Sequence, residues 1–454
     1  MYILRDKFSE LSGSTYRIRE VCCNFAPEVP EQRGDRSQLI FFYMRSPRFF
    51  LAIIVALLID LYVFQAIRTV TQGMAPRWRM LIFGLHWGLA VLALGTWILV
   101  PVFHLQWTRL NNYLQVIIIG LYIAKAVAAL FLFIDDLRRL IQWFLARNGR
   151  QSGGVTTEEG AISRSVFLSW LGLGLGTAGY GALLSGFANK YSYRIHRIRL
   201  SFDNLPAGFK GLKIVQVSDI HAGSFDNPAA VSRGVDMVQA EKPDLILFTG
   251  DLVNDMATEM KDYKAIFSRF SAPMGVFSTL GNHDYGDYVW WESPEHKSTN
   301  VEQIKQIERE MGWRLLLNEH VVLERGGDRI ALIGVENWSA KARFPKHGRL
   351  DLAYPGSEQY PFRILMSHDP SHWDAQVRPE YPDIDLTLAG HTHGAQFGVE
   401  IPGFKWSPVQ YVYKQWAGLY EQGRQKLYVN RGYGFIGYPG RFGILPEITV
   451  IELV

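Results

Sequence analysis

The chain of 454 residues carries 47 Lys and Arg against 43 Asp and Glu, and this net charge of +4 gives no support for a nucleic-acid-binding surface. Its length is sufficient for two or three domains. The two cysteines, Cys22 and Cys23, are adjacent, which excludes a disulfide framework or a thiolate metal site in the later part of the chain.

Four apolar stretches in the first 190 residues predict transmembrane helices. Each meets or nearly meets the roughly 20 residues that are needed to cross a bilayer. Four such stretches in succession, joined by short polar connections, argue against the alternative of buried globular helices. They lie at 49–67, 80–102, 113–134 and 166–187. We therefore expect a membrane region with four helices over 49–190, preceded by an N-terminal tail at 1–48.

The arginines between these spans predict their orientation. The connections 68–79 and 135–164 are rich in arginine, whereas the connection 103–112 contains only one. Because positively charged loops stay in the cytoplasm, the C-terminal domain is expected on the extracytoplasmic side of a bacterial inner membrane. Arginines in the tail 1–48 conflict with this orientation, and a true start of translation at Met44 would remove most of them.

Two features inside the spans predict contacts between helices. Asp60 in the first span and Lys125 in the third lie at similar depth in spans that run in the same direction. Charges at this depth are costly and usually paired, so we expect them to touch, with separate hydration as the alternative. The fourth span contains Gly172, Gly174 and Gly176, and such small residues permit close approach of helices in lipid.

From about residue 195 the pattern changes to short apolar runs that alternate with helical stretches. This alternation predicts a layered α/β domain over 195–454, with functional groups at the carboxyl ends of the strands. The candidate strands are 212–217, 244–249, 275–280, 329–335, 363–367 and 385–390, and the segments 228–241, 258–270 and 300–311 have helical spacing.

Potential metal ligands directly follow five of these strands. A helix cap or a turn is the alternative for any one of them, but five strands that end alike favour one shared site. Imidazole mixed with carboxylate suits Mn, Fe, Zn or Co. The ligands are too many for one ion, which indicates two ions that share a bridging carboxylate and act on a phosphoryl group. The residues are Asp219, His221, Asp251, Asn282, His283, Asp284, His368, His391 and His393.

The motifs D-x-H, G-D, G-N-H-D, H and G-H-T-H, in this order, resemble those of the calcineurin-like metallophosphoesterases over residues 210–454. The stretches WAGLY at 416–420 and YVNRGYG at 428–434 are similar to the branch that contains membrane-anchored enzymes. The resemblance implies a four-layer α-β-β-α metallophosphoesterase sandwich after an α-helical transmembrane bundle.

The resemblance also implies a role for each residue. His283 would stabilise the transition state or protonate the leaving oxygen, and Asp284 would orient its imidazole by a hydrogen bond. Arg431 would contact the phosphate, with an ordinary surface arginine as the alternative. One metal ion would be held by Asp219, His221 and His393, the other by Asn282, His368 and His391, with Asp251 bridging.

These observations predict an integral membrane protein that hydrolyses phosphate esters with two divalent metal ions. The membrane tether favours a lipid-linked or cell-envelope substrate. A nuclease or nucleotide phosphodiesterase is the first alternative, against which the lack of an obvious basic stripe argues. A non-catalytic membrane receptor or scaffold is the second, and the filled ligand positions and His283 argue against it.

Overall fold

The computed structural model describes residues 47–102, 109–147 and 164–454. The hypothetical start at Met44 lies outside these residues, as do nearly all of the N-terminal tail and parts of the connections 103–112 and 135–164. The chain divides into two compact units inside the first helix, and the second unit, Leu57–Val454, contains the remaining helices and all of the strands.

Four long helices contain segments that are long and apolar enough to cross a membrane, as the sequence predicted. The third is 39 residues long and continues past its predicted end, where Asp135 pairs with Arg138 and Arg139 one turn later. The helices are α1 (Pro47–Val70), α2 (Pro76–Val102), α3 (Arg109–Arg147) and α4 (Arg164–Ser185).

The predicted contact between Asp60 and Lys125 is confirmed. The ammonium of Lys125 contacts one carboxylate oxygen of Asp60, and the hydroxyl of Tyr122 donates to the other at 2.9 Å. Both charged side chains are buried, and Nε2 of His86 lies 3.2 Å from the backbone carbonyl oxygen of Asp60. The pair therefore joins α1 to α3, with α2 close by.

Only part of the glycine set in α4 serves helix packing. A Cβ atom at Gly176 would lie 2.5 Å from the carbonyl oxygen of Ala124, and one at Gly172 would lie 3.1 Å from that of Ala128. Gly174 has open space around the same position. The four-residue spacing of Gly172 and Gly176 places both on the face of α4 that contacts α3.

The rest of the chain contains two six-stranded sheets and a small hairpin. The sheet orders are β1-β14-β2-β3-β4-β5 and β12-β13-β9-β8-β7-β6. The strands are β1 (Arg194–Leu200), β2 (Lys213–Val217), β3 (Leu245–Phe248), β4 (Val276–Ser278), β5 (Arg314–Leu315), β6 (Glu319–Arg325), β7 (Asp328–Gly334), β8 (Arg363–Met366), β9 (Leu386–Ala389), β10 (Val399–Ile401), β11 (Phe404–Trp406), β12 (Gly418–Gln422), β13 (Gln425–Val429) and β14 (Glu447–Leu453).

Helices cover the outer faces of both sheets. The predicted helix 258–270 is instead a 3-10 turn, Ala257–Asp262, followed by one α-helical turn. The predicted helix 300–311 begins earlier, at Pro294, because Ser293 accepts the backbone N–H of His296 and caps it. The helices are α5 (Pro228–Ala240), α6 (Lys264–Phe267), α7 (Pro294–Glu310), α8 (Leu350–Ala353) and α9 (Arg378–Glu380).

Three buried apolar clusters produce the four layers that the resemblance implied. Alternating residues of one strand, such as Ile214 and Val215, point to opposite faces of the sheet. Val215 packs under α5 with Val235, whereas Ile214 packs between the sheets in the cluster that includes Leu332. A third cluster, which includes Trp373, covers the outer face of the second sheet.

The strands beside the site run parallel, β2 with β3 and β4 in one sheet and β8 with β9 in the other. Their carboxyl ends therefore meet at the same edge of the sandwich, where the motif loops follow.

Candidate metal centre

The structure brings six of the seven predicted metal ligands into two groups. In each group, one ligand atom per residue lies within 4.8 Å of the others. The seventh, Asn282, lies beside the second group, with its Oδ1 2.7 Å from Nδ1 of His391. The groups are Asp219, His221 and His393, and Asp251, His368 and His391.

Asp251 lies between the two groups. Its Oδ2 is 3.0 Å from Nε2 of His368, in its own group, and 3.5 Å from Nε2 of His221, in the other. In the first group, Oδ1 of Asp219 lies 3.2 Å from Nε2 of His393. The carboxylate of Asp251 therefore lies close to a histidine nitrogen of each group.

The backbone of the ligand loops is strained. Five of the ligands are non-glycine residues in the left-handed region, where an ordinary side chain costs roughly 1–2 kcal/mol per residue. Strain of this kind persists where the surrounding structure enforces it, and it concentrates at functional sites. The φ values are 53° at Asp219, 51° at His221, 61° at Asp251, 71° at His391 and 50° at His393.

Two glycines beside the ligands provide space for carboxylates. A Cβ atom at Gly281 would lie 2.2 Å from Oδ1 of Asp251, and one at Gly390 would lie 2.2 Å from Oδ2 of Asp219. Neither glycine has a positive φ. Both positions therefore require glycine because a carboxylate approaches the backbone closely.

The chemistry of these residues fits divalent cations. The two ring nitrogens of His221 are buried without a hydrogen-bond partner among the described residues. Buried polar atoms are normally satisfied, so nitrogens left open beside two carboxylates indicate a missing positive partner. Imidazole and carboxylate are the ligands that Mn, Fe, Zn and Co share.

The electrostatics of the pocket favour the metal-binding forms of most ligands. Burial acts to raise the pKa of Asp251, but His368 and His283 outweigh it and hold that pKa well below the usual range. Burial lowers the pKa of His391 to about 4 and the pKa of His221 well below its usual value. These histidines are therefore neutral, which is the form that ligates a metal.

His283 is half-buried beside the first group, and its ring centroid lies 4.9 Å from that of His221. Its Nδ1 lies 2.7 Å from the backbone carbonyl oxygen of Asn254. A carbonyl can only accept, so Nδ1 carries the hydrogen and Nε2 is the nitrogen available for proton transfer.

The expected hydrogen bond from Asp284 to His283 is wrong. The carboxylate of Asp284 instead accepts the backbone N–H groups of Leu252 at 2.8 Å, Asp251 at 2.9 Å and Gly281 at 2.8 Å. Asp284 therefore holds the loop that carries Asp251, and the carbonyl of Asn254 orients the imidazole.

The expected phosphate contact of Arg431 is also wrong. Its side chain is buried, and its guanidinium pairs with Glu447 and Glu400. His372, near His368 in the chain, is outside the ligand groups, because its ring bonds Ser367 at 2.8 Å and Gln376 at 2.9 Å.

Tyr413, Asp369 and Arg441, which were not predicted from the sequence, also hold the ligand loops in place. The hydroxyl of Tyr413 lies 2.8 Å from Nε2 of His391 and 3.1 Å from Oδ2 of Asp369, which fixes that ring. Arg441 is fully buried and donates to several backbone carbonyls, among them those of Arg431 at 2.7 Å and His393 at 3.3 Å. Of these three residues, only Asp369 could have been suspected from the sequence, because it is an acidic residue next to His368.

The membrane region and the C-terminal domain of this chain are each similar in sequence to known proteins. Residues 44–190 match a family model described as the transmembrane domain of probable calcineurin-like phosphoesterases, and residues 212–395 match the calcineurin-like phosphoesterase model. An uncharacterized metallophosphoesterase of Bacillus subtilis, YkuE, is 31% identical over 310 residues, which cover 64% of this chain and 98% of that protein. The chain belongs to the calcineurin-like metallophosphoesterases. This family consists of phosphoester hydrolases that use divalent metals, and the four apolar helices identify this member as an integral membrane protein.

Two further relatives match part of this chain. A transmembrane protein with a metallophosphoesterase domain from Danio rerio is 30% identical over 263 residues, 56% of this chain and 56% of that protein. The chain thus matches about half the length of this relative. A UDP-2,3-diacylglucosamine pyrophosphatase, LpxG, from Chlamydia muridarum is 27% identical over 297 residues, 54% of this chain and 84% of that protein.

Proposed function

We propose that this protein is a membrane-anchored hydrolase of phosphate esters whose two ligand groups hold two divalent cations, with Asp251 shared between them. The position of Asp251 carries the proposal, because its Oδ2 lies within 3.5 Å of a histidine nitrogen from each group. The catalytic domain comprises residues 195–454 and the membrane region residues 49–190.

Bound in this site, a pair of cations polarises phosphoryl oxygens and lowers the pKa of bound water. Asp219, His221 and His393 would hold one ion, while Asn282, His368 and His391 would hold the other. Mn, Fe, Zn and Co suit these ligands.

His283 acts on the reacting phosphate group from beside the ligands. Because the carbonyl of Asn254 accepts the Nδ1–H, the opposite nitrogen Nε2 carries a hydrogen only in the protonated ring. In that imidazolium form Nε2 can donate to a phosphoryl oxygen or pass its proton to the leaving oxygen, after which the ring is neutral. Asp284 contributes only indirectly, through the backbone of the Asp251 loop.

A lipid-linked or cell-envelope phosphoester is the substrate class that the surroundings favour. The site belongs to a chain with four membrane helices, and a relative is named for hydrolysis of a diacylated sugar nucleotide. We place the catalytic domain on the extracytoplasmic side of a bacterial inner membrane, because the arginine-rich connections belong in the cytoplasm.

The test is hydrolysis of chromogenic phosphate mono- and diesters by the purified full-length protein, first stripped of metal and then supplied with Mn²⁺. We expect turnover that requires the metal and is lost in Asp251→Asn. His372→Gln is the matched control, since it changes a buried histidine outside the ligand groups and should keep both metal and turnover. A metal-loaded protein that hydrolyses neither ester class contradicts the proposal.

A further inference from the structure

The hairpin formed by β10 and β11 exposes its apolar side. The strands pair Ile401 with Phe404 and Val399 with Trp406, and residues two apart share a face, so all four lie on one side. Ile401 is 57% exposed, Phe404 54% and Val399 38%. This is a contiguous set of large apolar side chains, which soluble surfaces normally scatter.

The opposite face of the same hairpin turns its charges toward the protein. Glu400 accepts from the buried guanidinium of Arg431, and the ammonium of Lys405 donates to the carbonyl of Ala417. A sheet that meets water normally buries its apolar face and exposes its polar one. The reversed arrangement is what a surface in contact with lipid requires.

The turn after the hairpin extends this surface with amphipathic aromatic residues. Tyr411 is 76% exposed, and its hydroxyl lies 3.3 Å from the indole nitrogen of Trp406. Val412 beside it is 43% exposed. Trp and Tyr favour the level of the lipid headgroups. We call the set Val399, Ile401, Phe404, Trp406, Tyr411 and Val412 the hairpin surface.

The hairpin begins beside the end of a membrane helix. Phe397 forms a β-bridge with Phe442, and the N–H of Gly398 donates to the carbonyl of Phe442 at 2.9 Å. The N–H of the preceding residue, Arg441, donates to the carbonyl of Gly186 at 2.9 Å, directly after α4. At roughly 3.3 Å per residue, β10 therefore starts within a few residues of the end of α4.

We propose that the hairpin surface inserts into the headgroup layer of the same bilayer that the four helices span. Continuity with the end of α4 selects the bilayer over a soluble partner, and none of the six residues of the hairpin surface carries a charge with which to form an ion pair to a protein. His393 lies six residues before Val399 on the same segment. Insertion thus holds the ligand loop near the level of lipid phosphates.

The experiment measures the depth of a fluorophore in the full-length protein. Cys22 and Cys23 are replaced by Ser, and one new cysteine, from Phe404→Cys or Leu352→Cys, is labelled with an environment-sensitive nitrobenzoxadiazole dye. Leu352 is the matched control, because it is 59% exposed on α8 and does not belong to the hairpin surface. The protein is placed in nanodiscs of phosphatidylcholine and phosphatidylglycerol, with or without headgroup-level nitroxide lipids.

We expect the label at 404 to emit at shorter wavelength and to be quenched several-fold more than the label at 352. Equal quenching at both positions overturns the proposal. A blue shift without lipid quenching that grows with the number of chains per disc also overturns it, because a second copy then covers the surface. Thermal unfolding of both labelled proteins establishes that they are folded. The readout does not depend on turnover, so its failure is distinct from failure of the proposed function.

Discussion

The ammonium of Lys125 lies against the carboxylate of Asp60 inside the membrane bundle, and the hydroxyl of Tyr122 holds the second carboxylate oxygen at 2.9 Å. Removing one partner of a buried pair costs about 3–5 kcal/mol, because the other charge is left uncompensated. We therefore expect Lys125→Met to destabilise the protein more than Lys125→Met combined with Asp60→Asn. Thermal unfolding in one detergent measures this, and additive effects would show that the pair is energetically unimportant.

The face of α4 that packs on α3 gives a second prediction. A Cβ atom at Gly176 would lie 2.5 Å from the carbonyl oxygen of Ala124, a backbone atom that cannot move aside, whereas Gly174 has open space. We expect Gly176→Ala to destabilise the bundle by about 1–3 kcal/mol, while Gly174→Ala is neutral or slightly stabilising. Unfolding of the two variants in detergent measures both effects. Equal destabilisation by the two substitutions would show that Gly176 does not pack closely against α3.

The membrane spans and the ligand positions could be predicted from the sequence because each follows from a local rule. A bilayer requires a continuous apolar run, and parallel strands bring the loops after β2, β3, β8 and β9 to one edge. By contrast, the polar continuation of α3 beyond its apolar part could not be predicted from hydropathy. Ion pairs from Asp135 stabilise this part of the helix.

The errors concern side chains whose partners are distant or belong to the backbone. Arg431 is paired with Glu447 and Glu400, which come from other strands, so its burial depends on the assembled sheets. Asp284 accepts hydrogen bonds from backbone N–H groups rather than from the adjacent His283, and the sequence does not distinguish these two partners. The space required at Gly390 likewise exists only because β9 ends beside β2, next to Asp219.

His283 is expected to affect turnover without affecting metal. Its Nδ1 is held by Asn254 at 2.7 Å, and it belongs to neither ligand group. We expect His283→Gln to lower kcat by about 10²–10⁴-fold, the usual contribution of a general acid, with bound metal unchanged. Elemental analysis of the purified variant beside steady-state kinetics tests this, and loss of metal would make His283 a ligand.

Gly390 is expected to affect metal affinity only because its lack of a side chain leaves room for the carboxylate of Asp219. A Cβ atom there would lie 2.2 Å from Oδ2 of Asp219 and 2.0 Å from Oγ of Ser218. We expect Gly390→Ala to displace the carboxylate and weaken metal binding by about 10–100-fold, as changes beside a ligand commonly do. Ser218→Ala in the same chain removes the clash with Oγ, although Cβ of residue 218 stays 2.8 Å away and Oδ2 of Asp219 stays 2.2 Å away. A restored affinity in the double variant would therefore show that the clash with Asp219 did not displace its carboxylate. Metal titration of the stripped protein measures both variants.

Asp226 is expected to hold the catalytic domain on the membrane helices. Its carboxylate contacts the ammonium of Lys190, which follows α4, and accepts from Tyr191 at 2.8 Å and from Tyr113 of α3 at 3.2 Å. Burial acts to raise the pKa of Asp226, but Lys190 and Tyr191 outweigh it and hold that pKa below its usual value of 3.8. Because the pKa of Asp226 is lower in the folded state than in the unfolded state, its stabilisation is complete above the pKa of the unfolded state. The stabilisation is lost as the pH falls through the pKa of the folded state.

We therefore expect Asp226→Asn to lower the unfolding free energy at neutral pH by at most about 1 kcal/mol, because hydrogen bonds to a charged group are lost while solvent screens this exposed carboxylate. The variant should also lack the contribution that the carboxylate of Asp226 makes to the loss of stability below about pH 4. Asp236→Asn is the control, since that carboxylate pairs with Arg269 on an exposed surface, where ion pairs contribute little. Hydrogen exchange should rise around residues 187–193 only in Asp226→Asn, and unchanged exchange there would show that other contacts hold the domain in place.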